Sequence, residues 1–244
     1  MSPLSNETRF DAHGSERSAL GRGLYAIVDI ASLARAGLEP IAFARAVLVA
    51  APAAIQLRAK ALPSEEISTL LDELVPMCAA AGVPLVMNDR VDLAVRARCP
   101  WVHVGQDDEA VSEVRRRAPG VLVGVSTHTL AQLAAALDAR PDYVAYGPVF
   151  PTTSKLNPDP CVGLEGLGSA HARARTAGVP LVAIGGVTLP RALDLEARCT
   201  AAAAIDALLP RDATNGPAAY EEVTLRVRRL HAALSGKERE ATPA

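Results

Sequence analysis

Short apolar runs recur along the chain at residues 24–28, 53–57, 85–87, 101–104, 121–125, 143–146, 181–184 and 202–205, with amphipathic stretches between them. Runs of this length read as buried strands, and the intervening Ala-rich and Leu-rich stretches carry helical spacing. Residues 64–81 are one such stretch, and Ser64-Glu65-Glu66-Ile67 supplies a helix-start signal after Pro63. Thr188 ahead of Leu189-Pro190 marks another, since proline is tolerated in a first turn. Strands of nearly continuous apolar character belong to a sheet covered on both faces. Eight βα units close most naturally into an α/β fold of the (β/α)8 TIM-barrel type, here one domain over residues 22–234. The rival is a doubly wound open sheet, but the first run is followed by Asp29-Ile30-Ala31 and not by a glycine-rich dinucleotide fingerprint. Residues 1–21 and 235–244 are polar, lack apolar periodicity and read as tails.

With 244 residues, 50% of them hydrophobic, the chain can bury a sizeable core. Its formal net charge of −2, with Lys and Arg spread along the chain, leaves no electrostatic footprint for nucleic acid or an anionic membrane. Small-molecule partners are expected, and a homo-oligomer is compatible with the pattern. Cys78, Cys99, Cys161 and Cys199 lie far apart without metal-ligand spacing and read as reduced, mostly buried thiols. No apolar run approaches the roughly 20 residues that span a bilayer, and the chain starts polar, so a cytoplasmic location is expected.

In a βα barrel the residues at the carboxyl ends of the strands form the active-site rim, and this chain places polar groups there on most strands. Gln56, Arg58 and Lys60 alternate with Leu57 and Ala59, which points the three polar side chains to one face. Two cations inside a barrel are costly unless a ligand or a carboxylate meets them, so an interior salt bridge is the competing explanation. Asn88-Asp89-Arg90 follows the third run, and His103-Val104-Gly105-Gln106-Asp107-Asp108 follows the fourth. Carboxylates on adjacent rim loops suit magnesium, which keeps waters and substrate phosphates, although Asp and Asn after a strand are often helix N-caps. The fifth run ends in Ser126-Thr127-His128, where a phosphate-binding hydroxyl is preferred to a Ser-His nucleophile. Thr152-Thr153-Ser154-Lys155 gathers hydroxyls and an ammonium as a phosphate cradle would, or as a solvated loop would. Gly185-Gly186 lets backbone N–H groups approach an anion at a helix start.

Taken in order, QLRAK, NDRVDLA, VHVGQDD, GVSTH, GPVFPTTSK and AIGGV closely resemble the thiamine phosphate synthases over residues 24–208. The resemblance implies a transferase that joins 4-amino-2-methyl-5-hydroxymethylpyrimidine diphosphate to 4-methyl-5-hydroxyethylthiazole phosphate, giving thiamine phosphate and pyrophosphate. It also implies Mg2+, with Asp89 and Asp108 as ligands. Gln56, Leu57, Arg58, Ala59, Lys60, Asn88, Ser126 and Lys155 would hold the pyrimidine diphosphate, with Arg58, Lys60, Ser126 and Lys155 as the catalytic set. Thr152, Thr153, Ser154 and Gly186 would hold the thiazole phosphate, joined by Ile205 and Asp206 at the end of strand eight.

The chain departs from the family pattern in three places. Ala50-Ala51-Pro52-Ala53-Ala54 replaces a glycine-rich turn, Ser154 replaces a threonine, and Ala201-Ala202-Ala203-Ala204-Ile205-Asp206-Ala207 replaces a pattern that starts with glycine and ends in Ser-Ala. Asp206 would bring negative charge near the thiazole phosphate. The alternatives are a related thiazole tautomerase, which carries a histidine where this chain has Pro148, and a non-catalytic thiamine-phosphate-binding regulator on the same fold.

Overall fold

The computed structural model describes residues 20–152, 159–211 and 216–236. Eight parallel strands close into a barrel in sequence order: β1 (Gly23–Asp29), β2 (Ala54–Arg58), β3 (Leu85–Asn88), β4 (Trp101–Val104), β5 (Leu122–Thr127), β6 (Tyr143–Tyr146), β7 (Leu181–Ile184) and β8 (Ala201–Ala204), which pairs with β1. Helices α1 (Ile30–Arg35) and α2 (Pro40–Leu48) follow β1. Then α3 (Ser64–Ala80), α4 (Val91–Ala97), α5 (Val111–Arg117), α6 (Leu130–Asp138), α7 (Gly163–Thr176) and α8 (Leu189–Glu196) follow β2 to β7 in turn, and α9 (Pro217–Ser235) follows β8. This is the (β/α)8 architecture that the apolar runs predict.

Two expectations shift in detail. Strand eight ends at Ala204, one residue earlier than the expected bound at 205, so Ile205 and Asp206 lie beyond it. The residue capping α3 is Pro63, which has no side chain to offer; Ser64 sits in the first turn and accepts from Arg90 Nη2 at 2.9 Å. Thr188 stands at the N-cap of α8 without a side-chain capping bond, and Pro190 lies in its first turn. A reciprocal capping box that the sequence reading passed over starts α6, where Thr129 and Gln132 satisfy each other's backbone N–H groups.

Strand alternation divides the core in two. Leu24, Ala26 and Val28 of β1, like Ile55 and Leu57 of β2, turn outward against the helices. Tyr25, Ile27, Ala54, Val86, Trp101, Tyr143, Val182 and Ala203 fill the barrel itself, joined at its lower end by Leu20, a buried residue of the segment expected to be tail. The two inward alanines of β8, Ala201 and Ala203, leave space inside, and large rings cross it: Tyr143 lies 5.9 Å from Tyr25 and 5.8 Å from Trp101 between ring centroids. Gly124 makes this possible. It faces Tyr143 in register, and a Cβ there would stand 2.0 Å from the ring.

Ala51 adopts a left-handed φ of 45° before β2, where the resembled family carries glycine-rich sequence. The last helix, α9, buries Val223, Val227, Leu230 and Leu234, packs on α2, α8 and β1, and its His231 Nδ1 accepts from the Leu24 N–H at 3.3 Å. Cys78, Cys99 and Cys199 are buried free thiols and Cys161 is an exposed one. Among the described residues no helix is long and apolar enough to cross a membrane.

Candidate active site

The inward positions at the carboxyl ends of β1 to β5 are polar, and they meet across the barrel. Asp29 ends β1, caps α1 by accepting from Ser32 N–H at 2.9 Å, and pairs with Arg58, its register partner at the end of β2. Lys60 Nζ lies 3.1 Å from Asp89 Oδ2, with 57% of the Lys60 side chain exposed. Each β2 cation therefore has a carboxylate, the arrangement given above as the competing explanation. Arg58 and Lys60 nonetheless stand at the mouth, where a ligand can take over the charge. A cleft of about 150 Å³ opens there between Ala59, Lys60, Asn88, Asp89 and Arg90. A larger hollow of about 310 Å³ lies at the opposite end, beside Arg98, Pro100 and Gly120. That end precedes β4 and β5, away from the rim where barrel chemistry is done.

Asp89 holds a left-handed φ of 62°, and its N–H donates to the His103 carbonyl at 2.8 Å, which seats it over the end of β4. Asp108 Oδ2 accepts from Gly105 N–H at 2.7 Å in the loop after β4. Burial raises the Asp89 carboxyl above the usual aspartate range, a hydrogen bond with Asp108 raises it further, and Lys60 counters both. The partner of Asp89 is Asp108 and not Asp107. Two facing carboxylates, of which Asp89 is paired with Lys60, form a site a divalent cation would relieve, and their oxygen donors suit magnesium. Among the described residues no group of three or more His, Cys, Asp or Glu could hold a metal, so a cation here would complete its shell with water and substrate oxygens.

Beneath this mouth, Asn88, Gln56 and Ser126 are joined through three residues that the sequence reading did not select. Gln56 Nε2 donates to Asn88 Oδ1 at 2.7 Å, and Gln56 Oε1 accepts from Tyr25 at 2.7 Å. The Tyr25 and Tyr143 hydroxyls are 2.8 Å apart, Tyr143 meets His103 Nδ1 at 2.7 Å, and His103 Nε2 meets Ser126 Oγ at 2.8 Å. Burial pushes His103 down to about 4 and holds both tyrosine hydroxyls well above their ordinary value. Inward alternation on β1, β4 and β6 was the signal that could have found them. Leu57 and Ala59 turn to the outer core, so their backbone is what remains for a ligand.

The opposite side of the mouth is made of backbone. Gly185 and Gly186 follow β7 with φ of 96° and 63°, and a Cβ on Gly186 would stand 2.5 Å from the Pro151 carbonyl oxygen. The turn thus lies against the loop after β6, where Thr152 is half-buried. Arg191, also unselected from sequence, donates to the Gly186 carbonyl at 2.7 Å and stacks 4.5 Å over the Phe150 ring. Thr153, Ser154 and Lys155 lie outside the described residues. Ile205 is half-buried against the inner core, and Asp206 is exposed at the start of a 3-10 turn, Asp206–Leu208.

The sequence profile described as thiamine monophosphate synthase matches residues 24–208. A thiamine-phosphate synthase from Bacillus thuringiensis subsp. konkukian is 37% identical over 174 residues, covering 70% of this chain and 78% of that one. Among solved structures, a thiamine phosphate pyrophosphorylase from Pyrococcus furiosus superposes with a TM-score of 0.74 at 26% identity, covering 88% of this chain and 96% of its own. An N-(5'-phosphoribosyl)anthranilate isomerase from the same organism reaches 0.54 at 9% identity over 85% and 98%, a likeness of fold alone. The profile match runs from the first strand past the eighth and takes in each rim residue described above, so the chain belongs to the thiamine monophosphate synthase family.

Proposed function

We propose that this barrel is a thiamine phosphate synthase, condensing 4-amino-2-methyl-5-hydroxymethylpyrimidine diphosphate with 4-methyl-5-hydroxyethylthiazole phosphate and releasing pyrophosphate. The observation that carries the reading is the meeting of Asp89, Asp108 and Lys60 at a mouth whose floor is Gln56, Asn88 and Ser126. Family membership supplies the substrates. In this scheme Asn88 and Lys60 bind the diphosphate, and Arg58, exchanging part of its pairing with Asp29, adds a second cation as the C–O bond breaks. Lys155, carried over from the family pattern, has the same task. Asp89 and Asp108 would hold Mg2+, which when bound would offset charge on the diphosphate oxygens. The electron-rich aminopyrimidine stabilises the cation left behind, and the thiazole nitrogen attacks it, so no side chain is needed as general base. Gly186, Thr152 and the hydroxyls of Thr153 and Ser154 are the candidates for the thiazole phosphate, with Ile205 and Asp206 at the pocket's edge.

The test is direct. The protein is incubated with both substrates and Mg2+, and thiamine phosphate and pyrophosphate are followed together; equal release of the two is expected, and excess chelator should stop it. Binding of thiamine phosphate without turnover would assign the chain to the silent regulator instead.

A further inference from the structure

The cations around the mouth differ in what neutralises them. Arg58 pairs with Asp29, Lys60 with Asp89 and Arg90 with Asp92. Arg191, half-buried in the first turn of α8, has no carboxylate partner among the described residues. Its guanidinium is held all the same: Nη1 donates to the Gly186 carbonyl at 2.7 Å, and Cζ lies 4.5 Å from the centroid of the Phe150 ring. Both partners are uncharged. A half-buried charge that the fold fixes in place without neutralising is one that an anion would stabilise.

The bond to Gly186 shows where this charge is felt. The Gly186–Val187 peptide is trans, so its C=O and N–H stand on opposite edges, and the donor facing away from Arg191 is the Val187 N–H. A cation on the carbonyl polarises the peptide and strengthens that N–H as a donor. Among the described residues the N–H groups of Gly186 and Val187 have no acceptor. Successive N–H groups in a turn of this kind form a concavity for an anion. Glycine is needed for the arginine to close on the turn, since a Cβ at position 186 would stand 2.9 Å from Arg191 Nη1. The same side chain braces the neighbouring loop through Phe150, whose own N–H donates to the Gly185 carbonyl at 3.1 Å, two residues before Thr152.

We propose that Arg191 is a specificity-determining positioning residue, which backs the Gly186–Val187 peptide with a positive charge so that the two free N–H groups select a phosphate over an uncharged group. The inference rests on the synthase reading and deepens it. On that reading the ligand is the phosphate of the thiazole substrate, and Arg191 sets the preference for thiazole phosphate over free 4-methyl-5-hydroxyethylthiazole.

The kinetic test uses Arg191→Met, which keeps an unbranched stem over Phe150 and removes the charge and its hydrogen bond. The loss should fall on KM for thiazole phosphate, by at least about tenfold, the scale of a hydrogen bond made by a charged group, and not on kcat or on KM for the pyrimidine diphosphate. The preference for thiazole phosphate over the free alcohol, read as a ratio of kcat/KM values, should shrink by the same factor. Arg191→Lys, which restores the charge without the fork, should recover part of that ratio. A merely structural role would penalise phosphate and alcohol alike, so an unchanged ratio in Arg191→Met overturns the proposal, as does a Lys variant no better than Met. The second measurement needs no turnover. Inorganic phosphate titrated into 15N-labelled full-length protein should move the Gly186 and Val187 amide resonances, and about tenfold more phosphate should be needed in Arg191→Met; unmoved amides, or equal titrations in the two proteins, refute the anion site. If the wild-type protein makes no thiamine phosphate, the synthase reading falls, while the amide titration still decides the task of Arg191.

Discussion

The two sides of the barrel mouth are built from different material. From β1 to β5 the inward ends carry side chains with fixed partners: Asp29 with Arg58, Lys60 with Asp89, and the floor from Asn88 to Ser126. At β7 and β8 the inward residues are Val182, Ile184, Ala201 and Ala203, and the polar groups on offer there are backbone. Functional groups on strand ends are placed to within a rotamer. Backbone N–H groups at a glycine turn are placed by the turn itself and tolerate no Cβ. On the function proposed above, the first side would meet a ligand with fixed side chains and the second mainly with backbone N–H groups.

Four substitutions or conditions test this contrast, from the largest expected effect to the smallest. Asp108→Ala should lower turnover by about 10² to 10³-fold, roughly 3 to 4 kcal/mol, because it halves the carboxylate pair beside the diphosphate. Asp108 is exposed, so the melting temperature should hold. Asp107→Ala proving the more damaging of the two in steady-state kinetics would contradict the pairing of Asp89 with Asp108.

The second concerns acid. His103 has a pKa near 4 in the fold, pushed down by burial, against 6.5 for a free imidazole. As pH falls the unfolded chain takes up this proton first, so the contribution is intact above about 6.5 and is lost progressively down to about 4. It amounts to roughly 3 kcal/mol at most. Denaturant unfolding at pH 7.5 and pH 5 should show the loss in the wild type and much less of it in His103→Gln; equal slopes would remove His103 from the account.

On the backbone side, Gly186→Ala forces a side chain into φ of 63° and against Pro151. It should raise KM for thiazole phosphate by about tenfold, near 1.4 kcal/mol, while KM for the pyrimidine diphosphate changes little. A rise confined to the pyrimidine substrate would reverse the assignment of the two sides. The smallest effect is expected at Asp206. Its carboxylate is exposed at the start of a 3-10 turn, where water would screen it from the proposed thiazole phosphate site. Asp206→Ser should lower KM for thiazole phosphate by about 0.5 kcal/mol or less. A higher KM with a lower melting temperature would show the residue to be structural.

The same contrast explains what could be seen in the sequence. Strands that differ in character from their surroundings, such as Leu85–Asn88 and Tyr143–Tyr146, stand out by their apolar content, and a barrel follows from eight of them. The alanines of β8 look alike and Ile205 is apolar too, so the run read as 202–205 sits one residue later than the strand at Ala201–Ala204. Polar rim residues such as Asn88 and Ser126 were legible because polar groups at inward strand ends are costly without a task. Tyr25 and Tyr143 were not, because a tyrosine in an apolar run reads as packing. Their hydroxyls acquire meaning only when strands 118 residues apart are brought face to face. Ser64-Glu65-Glu66-Ile67 did mark the helix start after Pro63, although the N-cap is Pro63 itself and the Ser64 hydroxyl accepts from Arg90.

The seam of the barrel has a consequence for how the molecule is made. Of the eight barrel strands β1 is made first, and among the described residues its edge away from β2 is closed by β8, with His231 of α9 taking the Leu24 N–H. Until the last helix emerges, β1 has one unpaired flank, and the outward side chains of Leu24 and Val28 lack part of their cover. Closure of the barrel therefore waits for β8, and the nascent chain must carry an unprotected strand edge while β2 to β7 are made, the period in which edge-to-edge association with another copy competes with folding.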